Sequence, residues 1–157
     1  GWKVKHFKVY KFRTMYTDAD KRTEKLFEDP NILADYQKGI KLKHDPRLTK
    51  IGAFLRKTSI DELPQIFNVL KGDMSLVGPR PLTQRDVDFV YGDYVARKIY
   101  TVKPGMTGFW QVSGRSDVDT DIRREMNLYY IRNWSLWLDI VILIRTVYAV
   151  ISRKGAY

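Results

Sequence analysis

The sequence predicts a compact, mostly helical α+β domain with short β-strands or a hairpin and with amphipathic helices that lie on a membrane surface. Apolar residues recur at helical spacing, and short aromatic or β-branched segments lie next to turns. Strands and helices do not alternate over the length that a β-α-β unit needs. With 157 residues, 44% of them hydrophobic, the chain can bury one core, so we predict one domain over residues 1–157 without a parallel sheet.

The secondary structure follows from the spacing of apolar residues and from the positions of glycine and proline. A basic strand or hairpin is predicted at residues 2–13, where aromatic and β-branched residues alternate with lysine and arginine, and a short strand at residues 109–112. Gly72 is expected to end a helical region. Helices are predicted over residues 18–28, 48–70, 121–134 and 134–151.

Residues 134–151 are nearly all apolar but are interrupted by Asp139 and Arg145. The interruptions leave too short an apolar run for a helix that spans a bilayer. A helix lying on the membrane surface fits better, because Trp134 and Trp137 carry rings that favour the interface. A buried core helix is the alternative that periodicity alone leaves open.

The chain carries 28 Lys and Arg against 18 Asp and Glu, a formal charge of +10. Nucleic acid, anionic lipid headgroups and phosphorylated substrates are all suitable anionic partners. The absence of cysteine excludes disulfides and thiolate metal sites, and His6 and His44 lack partners at ligand spacing. The sequence begins in a predicted strand, without a signal peptide or an apolar N-terminal helix, so we expect it to be part of a longer protein.

Asp61 and Glu62 are the first candidates for chemistry. Pro64 is tolerated cheaply only in the first turn of a helix, which places Asp61 near a helix N-terminus. The free N–H groups there favour an ionised carboxylate and a nearby phosphate. The alternative is purely structural, because Ser59 and Glu62 have the spacing of a capping box.

Three arginines at turns or loops are candidates for binding phosphate. Arg56 lies shortly before Asp61, Arg80 lies between two prolines that stiffen its loop, and Arg115 follows a glycine turn. The planar guanidinium group suits a phosphate, although each arginine taken alone is more typical of a surface charge. Together they predict a phosphate clamp.

Two other acidic patterns are interpreted as structural. Residues 18–20 (DAD) resemble the Asp-x-Asp of metal-dependent nucleotide-sugar enzymes, but they begin a polar helix, so helix capping explains them better. Residues 117–121 (DVDTD) resemble the start of a calcium loop. They lack its glycine and glutamate, since Ile122 and Leu128 occupy those positions.

Six motifs spread along the chain, in order, resemble the bacterial sugar transferases, also called monotopic phosphoglycosyl transferases. The resemblance is strongest to the type that transfers galactose or glucose phosphate to undecaprenyl phosphate. The motifs are residues 10–15 (YKFRTM), 45–47 (DPR), 59–65 (SIDELPQ), 68–81 (NVLKGDMSLVGPRP), 103–108 (KPGMTG) and 110–115 (WQVSGR).

The resemblance implies a two-step, Mg²⁺-dependent reaction at the cytoplasmic face of the bacterial inner membrane, in the assembly of exopolysaccharide, O-antigen or capsule. Asp61 would attack the sugar-bearing phosphate of a UDP-hexose, release UMP and hold a covalent phosphosugar. Polyprenyl phosphate would then accept the hexose phosphate. Glu62, with Asp61, would hold the metal, and Arg56, Arg80 and Arg115 would neutralise phosphate oxygens.

The sequence departs from the family pattern in two respects. The family has a re-entrant membrane helix before the first basic strand, and this sequence starts after that point, so we expect it to be the globular catalytic part. Asn127 stands where the family usually has aspartate, which changes the expected charge balance. The sequence indicates neither the hexose nor the oligomeric state.

Two functions of other classes compete with this interpretation. A nucleic-acid-binding module would also use basic, aromatic-interleaved strands, but no known reader motif is present. In a groove, Asp61 with Glu62 would repel phosphates unless a metal bridged them. We therefore expect no nucleic-acid partner. A non-catalytic scaffold at the membrane surface would keep the apolar helix and would not turn over UDP-sugars.

Overall fold

The computed structural model describes residues 6–37, 42, 45–113 and 120–152. Within these residues the chain is a mostly helical α+β domain, which confirms the predicted fold class. The α-helices are α1 (Ala19–Leu26), α2 (Pro30–Gln37), α3 (Lys50–Thr58), α4 (Ile66–Leu70), α5 (Gln84–Asp86), α6 (Gly92–Ile99), α7 (Phe109–Ser113), α8 (Thr120–Arg132) and α9 (Leu136–Ser152). A 3₁₀-helix (Ile60–Gln65) and a π-helix (Val87–Tyr91) lie between them, and the strands are β1 (Ser75–Val77) and β2 (Gly105–Thr107).

The two strands form a parallel pair, so the prediction that the domain contains no parallel sheet is wrong. Ser75 pairs with Gly105, and Val77 pairs with Thr107. The connection between them holds α5, the π-helix and α6, which gives the separation that parallel pairing requires. Gly105 permits the close approach, because a Cβ atom at this position would overlap the backbone of Gly78.

The strand predicted at residues 109–112 is also wrong, since these residues begin α7. The Val112 backbone N–H donates to the Gly108 carbonyl at 3.3 Å, which starts the helix directly after β2. The short aromatic and β-branched pattern is compatible with either state, and packing against α8 and α9 decides it.

The basic N-terminal segment is not a hairpin where it is described. Residues 6–14 belong to no strand or helix, and Met15 makes an isolated antiparallel bridge to Leu48. The segment crosses the helices through long-range hydrogen bonds: the Phe12 N–H donates to the Asp61 carbonyl at 3.0 Å, and the Tyr10 N–H donates to Asn68 Oδ1 at 3.0 Å. We call residues 8–16 the basic strap.

The predicted helix over residues 48–70 is divided into three. Ser59 has a left-handed φ of 59°, which ends α3 and turns the chain into the 3₁₀-helix and then α4. The expected stop at Gly72 is confirmed, because α4 ends at Leu70 and Gly72 has a φ of 78°.

The core joins the sheet to the C-terminal helices. Val77, Tyr130 and Ile142 form the buried cluster, and Phe109, Val112, Ile131 and Leu138 pack against it. Tyr130 also donates its hydroxyl to Asp139 at 2.8 Å, and burial together with this carboxylate raises the pKa of Tyr130 well above its ordinary value. One of the two charges in the apolar C-terminal segment therefore has an internal partner.

The outer face of α9 is exposed and apolar. Trp137 is 72% exposed and Ile144 65% exposed, while Ile142 on the opposite side is fully buried. This excludes the alternative of a helix buried on all sides. Among the described residues, no helix combines the length and the apolar content needed to cross a bilayer.

Candidate active site

Asp61 and Glu62 lie near the start of the 3₁₀-helix, where the sequence predicted a helix N-terminus. Asp61 is 9% exposed, whereas Glu62 is partly exposed. The alternative capping box is not formed, because the Ser59 side chain makes no capping hydrogen bond and Ser59 itself is left-handed. The acidic pair is therefore not explained by helix capping.

Burial dominates the electrostatics of Asp61. Desolvation raises the pKa of this carboxyl above its ordinary value, and the neighbouring charge of Glu62 raises it further. Lys11 and Arg56 act in the opposite direction without cancelling the rise. A helix N-terminus alone would lower the pKa of Asp61. Here the pKa is raised, because removal of the carboxylate from water outweighs the helix dipole.

Glu62 is held by two cations from different parts of the chain. Lys11 Nζ of the basic strap lies 2.7 Å from Glu62 Oε1, and Arg80 Nη1 lies 3.4 Å from the same oxygen. Arg80 follows the buried Pro79, so its backbone is held on the stiff loop that the sequence predicted. The structure thus brings Arg80 to the acidic pair.

Arg56 reaches the same region from the last turn of α3. Its Nε donates to Thr14 Oγ1 of the basic strap at 3.0 Å, which fixes the guanidinium beside Asp61. Gly52 permits this arrangement, because a Cβ atom there would overlap the backbone of Thr14. Arg115, the third predicted phosphate ligand, lies outside the described residues.

These groups line one cavity of about 700 Å³, which we call the Asp61 pocket. Its charged part contains Lys11, Arg56, Asp61, Glu62 and Arg80. The cations outnumber the carboxylates, so the pocket attracts an anion although its most buried ionisable group is an acid.

A second part of the Asp61 pocket is apolar and belongs to α9 and its neighbours. Leu76, Leu143 and Val150 line it, and Leu76 and Leu143 also line a smaller groove of about 400 Å³ beside Leu136 and Ile140. The exposed apolar face of α9 is therefore continuous with the wall of the pocket.

Sequence reasoning left several residues of the Asp61 pocket unassigned, among them Lys11, Trp110 and Gln111. Lys11 is one of several lysines that alternate along the basic strap, and nothing in that alternation distinguishes it. Trp110 and Gln111 were included only in the WQVSGR motif, and the incorrect strand prediction at residues 109–112 concealed their position on α7.

The acidic pair fits a hard divalent cation in part. Mg²⁺ is commonly held by one or two carboxylates together with substrate phosphates and water. Asp61 and Glu62 supply two carboxylates in one pocket, and no cluster of three or more acidic or histidine ligands occurs among the residues that the structure describes. The site therefore suits a metal that is completed by phosphate oxygens.

The other predicted features lie apart from this pocket. Asp18 makes no capping hydrogen bond and instead pairs with Arg22 at 3.0 Å on the surface, so the capping interpretation is wrong in its detail. Asn127 is fully buried in α8 and donates to the Tyr91 hydroxyl at 3.4 Å. His44 and residues 117–119 lie outside the described part of the chain.

Comparison with known proteins identifies the family of the chain. Residues 1–153 match the family described as bacterial sugar transferase. The chain is 52% identical over 154 residues to an undecaprenyl-phosphate galactose phosphotransferase of Salmonella typhimurium, covering 98% of this chain and 32% of that protein. It is 41% identical over 158 residues to the exopolysaccharide production protein ExoY of Rhizobium meliloti, covering 100% of this chain and 69% of that protein.

A third relative is an undecaprenyl-phosphate glucose phosphotransferase of Komagataeibacter xylinus, 40% identical over 168 residues and covering 100% of this chain and 29% of that protein. The chain belongs to the bacterial sugar transferase family. It spans about a third of the length of several curated relatives, such as the Salmonella protein at 32%.

Proposed function

We propose that this chain transfers a hexose-1-phosphate from a UDP-sugar to polyprenyl phosphate through a covalent phosphosugar on Asp61. The observation that carries the proposal is the convergence of Lys11, Arg56 and Arg80 around a buried aspartate in one pocket. A carboxylate attacks phosphorus at a useful rate only when the charge of the phosphate is neutralised and the reacting atoms are held in line. Two relatives are named as undecaprenyl-phosphate galactose and glucose phosphotransferases, which supports the transfer of a sugar phosphate to a lipid carrier.

In the first step an Asp61 carboxylate oxygen attacks the phosphorus that bears the hexose. The bond from this phosphorus to the bridging oxygen breaks, and UMP leaves with that oxygen and its electron pair. Arg56 and Arg80 bind the phosphate oxygens as negative charge shifts to the leaving group. Arg80 now pairs with Glu62 at 3.4 Å, a long contact that a phosphate can replace.

In the second step an oxygen of polyprenyl phosphate attacks the same phosphorus. The Asp61 carboxylate leaves, and the product is a polyprenyl diphosphate hexose. The isoprenoid chain needs an apolar path to the reacting centre, and the shared wall at Leu76 and Leu143 leads from the face of α9 into the Asp61 pocket. The acceptor therefore enters from the side of α9.

Asp61 and Glu62 would hold Mg²⁺, which would supply charge neutralisation and orientation to the diphosphate when bound. Glu62 would exchange its ion pairs with Lys11 and Arg80 for this role, leaving both cations available to the phosphates. The buried position of Asp61 limits the access of water to the carboxylate.

The exposed face of α9 would lie on the cytoplasmic leaflet of the bacterial inner membrane. Trp134 and Trp137 are 59% and 72% exposed, and indole rings favour the interface between headgroups and acyl chains. Anionic lipid would add to the attraction through the net charge of +10. The product would begin the assembly of a surface polysaccharide or glycoconjugate.

The proposal is tested by measuring UMP release from a panel of UDP-hexoses, with and without polyprenyl phosphate, in nanodiscs and with Mg²⁺. We expect sustained UMP release only when both substrates are present, with one UDP-hexose preferred. Vesicle binding without UMP release would favour the membrane scaffold. Salt-sensitive oligonucleotide binding without turnover would favour the nucleic-acid module.

A further inference from the structure

Two residues that line the Asp61 pocket each carry a buried polar atom without a hydrogen-bond partner among the described residues. The atoms are Trp110 Nε1 and Gln111 Oε1, on adjacent residues of α7. Both residues line the same pocket as Asp61. A buried donor or acceptor that stays unpaired lowers stability, so such atoms in a pocket wall indicate a function in binding.

The orientation of the Gln111 amide follows from its neighbours. Gln111 Nε2 donates to the Met106 carbonyl at 3.3 Å, which leaves Oε1 on the opposite side of the amide. Gly108 provides the space for this oxygen, because a Cβ atom at Gly108 would lie 2.9 Å from Gln111 Oε1. The bond to Met106 is at the long end of the hydrogen-bond range, so the amide turns towards a ligand at little cost.

The Trp110 ring is fixed from the other side. The Arg123 guanidinium of α8 lies over it, 5.1 Å from the ring centre, and the residue is only 9% exposed. A buried and stacked indole keeps one orientation, so its N–H is presented in a fixed direction.

The chemistry of these atoms excludes phosphate as their common ligand. Indole Nε1 only donates, and an amide oxygen only accepts. The diphosphate of a UDP-sugar carries no proton at neutral pH and cannot donate to Gln111 Oε1. A hydroxyl group both donates and accepts, and the imide of uracil places an N–H beside a carbonyl. A neutral polar group of this kind can pair with both atoms, whereas a phosphate cannot.

We propose that Trp110 and Gln111 form a recognition subsite for the neutral part of the donor, binding a sugar hydroxyl or the uracil imide. The inference rests on the proposed function, since it assumes that a nucleotide sugar enters the Asp61 pocket. The pocket would then have a charged region that binds the diphosphate and a neutral region on α7 that binds the hexose or the uracil.

The test is calorimetric titration of the purified chain with UDP-hexose and with UDP. Trp110→Phe removes the N–H and keeps the ring stacked on Arg123, and Gln111→Met removes the amide at similar length. We expect each variant to bind UDP-hexose about tenfold more weakly, the usual effect of one lost neutral hydrogen bond. Gln84→Met makes the same change as Gln111→Met at an exposed position outside the pocket and should bind UDP-hexose as the wild type does.

Titration with UDP identifies the source of the hydroxyl or imide. If the variants lose the same affinity for UDP as for UDP-hexose, the subsite binds the nucleoside. If they lose affinity only for UDP-hexose, it binds the hexose. Wild-type protein titrated with donor analogues that lack one hydroxyl, or that carry N3-methyluracil, gives the same answer without a mutation. One analogue should bind the wild type more weakly than the unmodified donor does. The variant that lacks the side-chain group contacting the altered position should bind that analogue and the unmodified donor equally well.

The inference would be overturned if both variants bound UDP-hexose as tightly as the wild type does and the wild type bound all the analogues equally. The proposed function would then remain intact. Failure of the wild type to bind any UDP-hexose would instead overturn both.

Discussion

Two helices of this protein begin with acidic residues, and these residues are exposed in one helix and partly or fully buried in the other. Asp18 and Asp20 begin α1, which buries none of its residues, and the Asp18 side chain is 49% exposed. Asp61 and Glu62 begin the 3₁₀-helix, and Asp61 is 9% exposed. Asp18 pairs with Arg22 of its own helix, whereas Glu62 pairs with Lys11 and Arg80, distant in sequence.

The difference shows what tertiary packing adds to a pair of acidic residues. A local motif supplies the acid, but only tertiary packing removes it from water and surrounds it with cations from separate segments. The pKa of Asp61 is raised by burial and by Glu62, while Lys11 and Arg56 partly compensate. The four predictions that follow set the buried pair against the exposed one.

The largest expected effect is on turnover. Asp61→Asn removes the attacking oxygen's charge and should reduce UMP release by at least about 10³-fold, as loss of a nucleophile does in other enzymes. Asp18→Asn changes an exposed ion pair and should leave the rate within about twofold. Steady-state UMP release by the two variants measures the contrast, and similar losses for both would contradict it.

Substitutions of the arginines that pair with these acids should also differ in their effect on turnover. Arg80→Gln removes the guanidinium that we propose binds phosphate and is expected to lower turnover about 100-fold, in the range for a lost electrostatic contact in an active site. Arg22→Gln breaks the pair with Asp18 and should have little effect on the rate. Comparable kcat/KM values for the two variants would show that Arg80 has no role in the reaction.

Glu62→Gln tests the metal. If Glu62 holds Mg²⁺ beside Asp61, the Mg²⁺ concentration needed for half-maximal UMP release should rise by about tenfold or more. Asp20→Asn, the matching change in the exposed pair, should not alter it. An unchanged Mg²⁺ requirement in Glu62→Gln would exclude this residue as a ligand.

The smallest effect concerns stability. Because the folded-state pKa of Asp61 lies above its ordinary value of 3.8, the folded state holds the proton more tightly, and stability falls as the pH rises from about 3.8 through the raised pKa. Asp61→Asn stays neutral, so near pH 7 and without divalent cations it should be more stable by about 0.5–2 kcal/mol.

The advantage of Asp61→Asn should vanish below pH 3.8, where the wild-type carboxyl is protonated in both states. Urea unfolding at several pH values measures it, with Asp18→Asn as the control that shows no such gain. A destabilised Asp61→Asn protein at pH 7 would contradict the burial argument.

Much of the local structure could be predicted from the sequence. Gly72 ends its helix as expected, α8 and α9 lie where helical spacing placed them, and Asp61 is near a helix start. These features depend on residues close together in sequence. The α7 helix was not predictable, because its aromatic and β-branched residues favour a strand until tertiary packing decides.

What the sequence could not supply are the long-range contacts. Each strand of the parallel pair has only three residues, too few to carry a pattern, and they pair across the intervening helices. Residues 2–13 were predicted as a basic strand or hairpin, because their alternation says nothing about a partner. The hydrogen bond of the basic strap to the Asp61 carbonyl brings Lys11 to the site, and no local pattern predicts that contact.

The most direct test of the central claim is mass spectrometry of the protein after incubation with UDP-hexose and Mg²⁺, without a lipid acceptor. We expect the wild-type chain to gain the mass of one hexose phosphate, with the modified peptide mapping to Asp61, and the Asp61→Asn protein to gain nothing. Adding polyprenyl phosphate should remove the adduct from the wild type. An adduct on Asp61→Asn, or one that maps to another residue, would show that Asp61 is not the nucleophile.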